Sequence, residues 1–255
     1  MKVRILGCSG GIGGPDQLTT SLLVDQDILI DCGTGVGDLS LEELARIDHL
    51  FVTHSHLDHI ACLPLLIDTV CDMRGSPLMV HATAATIDTL RSHIFNWAVW
   101  PDFSAIPSAE ESYLRFAPLR VGEVFELDGR RVTALPADHT VPAVGYHLDS
   151  GVASLVFTGD TGPCPELWTA VNAIGNLRTL IIETAFSNRE APRANISKHL
   201  CPDTLAKELE MLAVPADIFI THLKPGQSEV TMREIEERVG PRKPGMLRGG
   251  QVFTF

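Results

Sequence analysis

Short apolar, β-branched runs recur along the chain, punctuated by Gly, Asp and Pro. They lie at Lys2–Leu6, Thr20–Val24, Ile28–Asp31, His49–His54, Leu78–His81, Arg131–Leu135, Ala143–Leu148, Ser154–Thr158, Thr179–Glu183 and Asp217–His222. Runs of this length between turn residues predict strands. The second and third are separated by Asp25-Gln26-Asp27, which reads as a hairpin. Apolar positions at helical spacing mark 57–72, 83–94, 165–174, 202–213 and 228–239. Pro202-Asp203 makes a good first turn for the fourth of these. Strands cluster before the first helix and again between residues 115 and 160, with helices interspersed. That order predicts two sheets covered by helices rather than one doubly wound sheet. The stretch 95–112 has two prolines, several aromatics and no periodicity, and predicts a long loop or arm. No clean repeat and no linker interrupts residues 1–255, so one domain is expected.

Composition narrows the class. With 45% hydrophobic and 20% charged residues among 255, the chain has ample material for a core, which excludes disorder. The N-terminal stretch from Met1 to Gly7 lacks a long apolar segment, and no run approaches the roughly 18–20 residues of a membrane span. A cytoplasmic enzyme without membrane attachment is expected. Lys and Arg number 20 against 32 Asp and Glu, a formal charge of −12. Binding along a polyphosphate chain draws on cationic patches, so extended nucleic acid is not the expected partner. The six cysteines include no C-x-x-C pair, which removes zinc-ribbon and thioredoxin-like readings, and reduced thiols are expected.

The chemistry concentrates in Thr53-His54-Ser55-His56-Leu57-Asp58-His59. The chain has 10 histidines, and three of them fall in this one turn between a predicted strand and a helix. Neutral imidazoles and carboxylates are the ligands of zinc and similar divalent ions. A turn lets His54 and His56 face one site while Asp58 and His59 open the helix toward a second. Further ligands are sought at other strand ends, where α/β folds build their sites. His139, Asp160 and His222 each follow an apolar strand and border a turn residue.

The order H-x-H-x-D-H, His, Asp, His resembles the metallo-β-lactamase superfamily, and the resemblance spans nearly the whole chain. It implies an αββα sandwich, α/β in class, with two mixed sheets flanked by helices. It also implies two divalent ions, zinc first, with manganese or iron accepting the same donors. His54, His56 and His139 would hold one; Asp58, His59 and His222 the other; Asp160 would bridge them. Finer motifs are similar to the class II cyclic-nucleotide phosphodiesterases: the run Arg91–Phe103, Ile182-Glu-Thr-Ala-Phe-Ser-Asn188, Lys198-His-Leu-Cys-Pro202 and Ile220-Thr-His-Leu-Lys-Pro225. Cys62 stands where that family has a small Gly or Ser, and a Ser that the family has further along, near Ile67, is missing. The stretch His139–Tyr146 is closer to the tRNA 3′-processing endonucleases. That branch grips tRNA with an arm commonly inserted between the third metal histidine and the bridging aspartate, and here those positions, His139 and Asp160, leave no room for one.

The resemblance therefore implies hydrolysis of a 3′,5′-cyclic nucleotide, cyclic AMP or cyclic GMP, to a nucleoside 5′-monophosphate by a hydroxide held between the two ions. Asp58 and Asp160 would orient that hydroxide. His199 would bind the phosphate or protonate the leaving oxygen. Glu183, with Asp138 as a similar candidate, would hydrogen-bond a ligating histidine. Phe95, Trp97, Trp100 and Phe103 would stack a base, fill core or form an interface, and a homodimer is plausible. The alternatives are a tRNA-processing type of phosphodiester hydrolase and a sensor that binds metal and nucleotide without turnover.

Overall fold

The computed structural model describes residues 1–255. Two seven-stranded mixed sheets face each other, with helices on both outer faces. The first half of the chain supplies β1 (Lys2–Gly7), β2 (Ser21–Val24), β3 (Ile28–Ile30), β4 (His49–Phe51), β5 (Leu78–Thr83) and β6 (Leu114–Leu119). The second half supplies β7 (Val124–Leu127), β8 (Arg130–Ala137), β9 (Ala143–Asp149), β10 (Ser154–Phe157), β11 (Leu177–Glu183), β12 (Asp217–Thr221) and β13 (Gly245–Met246). The last strand, β14 (Val252–Thr254), returns to pair with β1. The order is β14-β1-β2-β3-β4-β5-β6 in one sheet and β13-β12-β11-β10-β9-β8-β7 in the other. Each sheet passes from antiparallel to parallel pairing along its length: β3 to β6 and β10 to β13 run parallel. This kinship between the halves is carried by topology, with no repeat in the residues.

Three apolar layers hold the sandwich together. Ile5, Ile28, Ile30, Phe51, Tyr146, Leu155, Phe157 and Ile181 fill the space between the sheets. The first sheet packs outward on α2 (Leu57–Ile60), α3 (Leu63–Val70) and α4 (Ala84–Thr89) through Leu50, Leu63, Leu66, Val80 and Ile87. The second packs on α5 (Pro165–Asn172), α7 (Pro202–Glu210) and α8 (Ser228–Val239) through Val156, Trp168, Leu205, Ile220 and Ile235. Interior strands are covered on both faces, which explains why they read as continuous apolar runs. The expected helix over 57–72 is broken after Ile60. Pro64 cannot donate a backbone hydrogen bond, and its ring would clash with the Ile60 carbonyl in a continuous helix, so α3 begins afresh around it. What remains is α2, a single turn that carries Asp58 and His59. The segment 95–112 has neither strand nor helix; Phe95 and Phe103 are buried in the core, whereas Trp97 is exposed. No helix is long and apolar enough to cross a membrane. All six cysteines are unpaired.

The sheets are stitched together beside the histidine turn. The Tyr146 hydroxyl donates to the Val52 carbonyl at 2.7 Å, and Val144 N–H donates to the Thr53 carbonyl at 3.0 Å. Both bonds cross from β9 to the segment that follows β4. Tyr146→Phe leaves the buried Val52 carbonyl without this donor. It should lower the unfolding free energy by about 1–3 kcal/mol, read from the midpoint of urea denaturation; an unchanged midpoint would show that the bond contributes nothing.

Candidate metal centre

The carboxyl ends of β3, β4, β8, β10, β11 and β12 converge on one edge of the sandwich. After β4 the chain turns through Thr53–His56 into α2, so alternating strand geometry gives way and neighbouring side chains point the same way. His54, His56 and His139 bring ligand atoms within 4.8 Å of one another, and so do Asp58, His59, Asp160 and His222. Asp160 lies between the two sets. Its carboxylate is 3.3 Å from His59 Nε2, 3.7 Å from His54 Nε2 and 3.2 Å from His222 Nδ1. All seven residues expected from the sequence meet here. Asp58 and His56 are partly exposed and form the mouth, while the other five are buried.

The donor set fits divalent cations on a further count. His54 Nε2, His59 Nε2 and His222 Nδ1 are buried without a hydrogen-bond partner. Buried polar atoms are normally paired. Three unpartnered imidazole nitrogens around one carboxylate are satisfied by cations of the kind that accept nitrogen and oxygen donors.

The rings are aimed by hydrogen bonds on their far sides. His59 Nδ1 donates to Asp31 Oδ2 at 2.7 Å, which leaves Nε2 facing Asp160. The Thr53 hydroxyl donates to Asp31 Oδ2 at 2.8 Å and accepts from His54 Nδ1 at 3.0 Å, so His54 too presents Nε2. His139 Nδ1 donates to the Lys198 carbonyl at 2.9 Å. Asp31 also accepts from Thr53 N–H at 2.7 Å, so one fully buried carboxylate orients both ends of the histidine turn. It does so from a left-handed backbone conformation, φ 57°, which few residues other than glycine adopt. His222 is held at φ 62° in the same way. Gly10 makes room for it, since a Cβ there would lie 2.4 Å from the His222 carbonyl oxygen.

Asp31 was not singled out from the sequence. The signal existed, because it is an acid at the end of an apolar strand, like Asp160 and Glu183. Glu183 acts differently from the expectation. It bonds His199, Nδ1 to Oε1 at 2.7 Å, rather than one of the seven converging side chains. It also accepts from the backbone N–H groups of Thr161, Ala185 and Leu200. Asp138 bonds no histidine side chain either, and pairs with Lys198. His199 itself is buried. Its ring lies 4.9 Å from His139 and 5.1 Å from His222, so it belongs to the centre and not to an exposed loop.

Burial sets the protonation of the cluster. It pushes His54 well below the usual imidazole range, His139 down to about 4 and His222 to about 3. These rings are neutral at pH 7, the form that ligates metal. For His59 burial acts in the same sense, but the carboxylates of Asp160 and Asp31 outweigh it and raise the ring's affinity for a proton. For His199 burial is likewise outweighed, here by Glu183, and its affinity for a proton rises.

Comparison with known proteins agrees with this architecture. Residues 26–223 match the family model described as beta-lactamase superfamily domain. A 3′,5′-cyclic-nucleotide phosphodiesterase of Aliivibrio fischeri is 31% identical over 252 residues, covering 81% of this chain and 74% of the relative. A ribonuclease Z of Mycobacterium marinum is 30% identical over 188 residues, covering 66% of this chain and 65% of its own. The fold superposes on unliganded yeast PDE1 with a TM-score of 0.81 at 19% identity, over 100% of this chain and 99% of that one. Human tRNase Z, short form, gives 0.70 at 16%, again over 100% and 99%.

Asp31→Ala would leave His59 Nδ1 and Thr53 N–H without their acceptor. Metal affinity, measured by competition with a chromophoric chelator, should fall about 10–100-fold, as for other residues that orient ligating histidines. Affinity equal to that of the wild type would mean that the ligands are aimed by packing alone.

Proposed function

We propose that this chain, which belongs to the beta-lactamase superfamily, is a metal-dependent phosphodiesterase that hydrolyses 3′,5′-cyclic nucleotides to nucleoside 5′-monophosphates. The observation that carries this reading is His199, buried beside both donor sets and held by Glu183 at 2.7 Å. Phosphodiester hydrolysis expels an alkoxide, a poor leaving group that needs a proton. A protonated imidazole kept in place by a buried carboxylate supplies one.

His54, His56 and His139 would hold one divalent cation, Asp58, His59 and His222 a second, and Asp160 would bridge them. Zinc suits these donors, as do manganese and iron. Bound there, such ions supply Lewis acidity at phosphorus and lower the pKa of water. Asp58 and Asp160 orient the attacking water on the side opposite the leaving 3′-oxygen. His199 transfers its Nε2 proton to that oxygen as the P–O bond breaks, and Glu183 fixes the ring through Nδ1. The relative named cyclic-nucleotide phosphodiesterase supports the substrate class. Between His139 and Asp160 the chain forms β9, a tight turn at 150–153 and β10, with no inserted arm to hold RNA. In this reading the enzyme is cytoplasmic, works on a small diester and pairs as a homodimer.

The relatives named ribonuclease Z favour a second reading, cleavage of a tRNA precursor. The His139–Tyr146 stretch pointed the same way, yet Tyr146 is buried and serves to join the sheets.

Turnover of cyclic AMP, cyclic GMP, bis(p-nitrophenyl) phosphate and a precursor tRNA in one metal-supplemented buffer separates these readings. Rapid hydrolysis of the cyclic nucleotides with intact tRNA is expected. Cleavage of the tRNA alone would establish the second reading, and saturable nucleotide binding without product would identify a sensor. Asp160→Ala should abolish both activity and metal occupancy.

His199→Ala should lower kcat on cyclic AMP by about 10²–10⁴-fold with metal content unchanged. The loss should be much smaller on bis(p-nitrophenyl) phosphate, whose leaving group departs without a proton. Equal losses on both substrates would refute the role as acid.

A further inference from the structure

Helix α6 (Ala191–Ile196) closes in a tight cap just before His199. Lys198 N–H donates to the Asn195 carbonyl at 3.3 Å, and His199 N–H donates to the Ala194 carbonyl at 2.9 Å. These paired bonds end a helix around one left-handed residue, a position that glycine usually fills. Here it is Lys198, at φ 50°. A residue with a Cβ is strained in that conformation, whereas glycine is not. The backbone needs the turn, because the Lys198 carbonyl accepts from His139 Nδ1 and the cap aims His199 at the centre. None of these bonds uses the lysine side chain. Glycine would make all of them without strain, so the reason for a lysine must lie in its ammonium.

That ammonium lies on the side of the centre formed by Asp138 and His139. Lys198 Nζ is 2.7 Å from Asp138 Oδ1, next to His139, and the two side chains are 43% and 50% exposed. A pair this open is weak and exchanges partners readily. Lys224, the other cation beside His199 and His222, is committed elsewhere: its Nζ donates to the Gly10 carbonyl at 2.6 Å and lies 5.7 Å from the centre of the Phe186 ring. The chain as a whole carries −12 and repels an anionic substrate. A cation beside the centre, held only by an exposed and exchangeable pair, then has a large effect on capture.

We propose that Lys198 is a substrate-recognition residue. Its ammonium leaves Asp138 and pairs with the anionic phosphate of the incoming diester, and Asp138 is the internal competitor that holds it between turnovers. This rests on the phosphodiester reading above for the identity of the substrate, but anion capture can be measured without turnover.

The test uses the metal-loaded protein and its Lys198→Gly, Lys198→Arg and Asp138→Asn variants. Inorganic phosphate and bis(p-nitrophenyl) phosphate are titrated into each by calorimetry at low and high salt, and melting temperature is recorded alongside. Lys198→Gly should weaken binding of both anions about five- to tenfold at low salt, with a smaller difference at high salt. It should raise KM by a similar factor, with a lesser change in kcat. It should also melt no lower than the wild type, since glycine relieves the cap. Lys198→Arg should keep the affinity, and Asp138→Asn should tighten it. Unchanged anion affinity in Lys198→Gly, or no anion binding by the wild type, would overturn the assignment. So would a Lys198→Gly protein that melts lower and loses metal, because the lysine would then be structural. If Lys198→Gly loses affinity while the wild type hydrolyses no phosphodiester, Lys198 stands as an anion-capture residue and the phosphodiesterase reading falls.

Discussion

At the centre of the molecule a buried carboxylate, Asp160, is surrounded by three imidazoles within 3.2–3.7 Å. Removing such a charge from water is costly unless it is paired and hydrogen-bonded. Burial alone would raise its pKa, yet interaction with the imidazoles of His222, His59 and His54 holds it well below the usual carboxylate range. The rest of the site follows from keeping that arrangement fixed. Asp31 and Thr53 hold the histidine turn from behind, Glu183 holds His199, and the Lys198 carbonyl holds His139. The supporting groups come from segments of both halves of the chain, so the centre is only as well ordered as the contact between the sheets.

That contact explains why the fold suits such a centre. Both sheets end their parallel strands at the same edge, and the apolar layer between them brings those ends together. Side chains far apart in the chain therefore meet with little freedom to move apart. His56 and His139 are 83 positions apart, and their ring nitrogens lie 3.2 Å from each other. Pre-organised donors of this kind lose little entropy when they bind a cation. The left-handed conformations of Asp31, Lys198 and His222 lie in the same region, where backbone strain is retained because surrounding bonds leave no alternative.

The ten strands marked by the apolar pattern are the ten interior strands of the two sheets. The four that the pattern missed, β6, β7, β13 and β14, are the four edges. The reason is physical. Interior strands are buried on both faces and read as apolar runs, while edge strands are half exposed, short, or carry a proline such as Pro118 in β6. The short helices α1 (Leu41–Ala45) and α6 escaped for a similar reason, since five or six residues are too few to show a period. The break between α2 and α3 was readable in Pro64 but was overridden by apolar spacing that continues through it.

The residues by themselves determined the donor chemistry, the order of the converging histidines and aspartates and the layered class of the fold, because all of these depend on residue type and on period along the chain. Which ring nitrogen faces inward, and which acid orients which histidine, was decided by the tertiary structure. Glu183 reaches His199 rather than one of the seven converging side chains, and Asp31, an ordinary strand-end acid in the sequence, becomes the buried support of the histidine turn. Those roles depend on the register between strands distant in sequence and on where a buried charge can find a partner. Both are properties of the packed sheets, and neither is written in any local stretch of the chain.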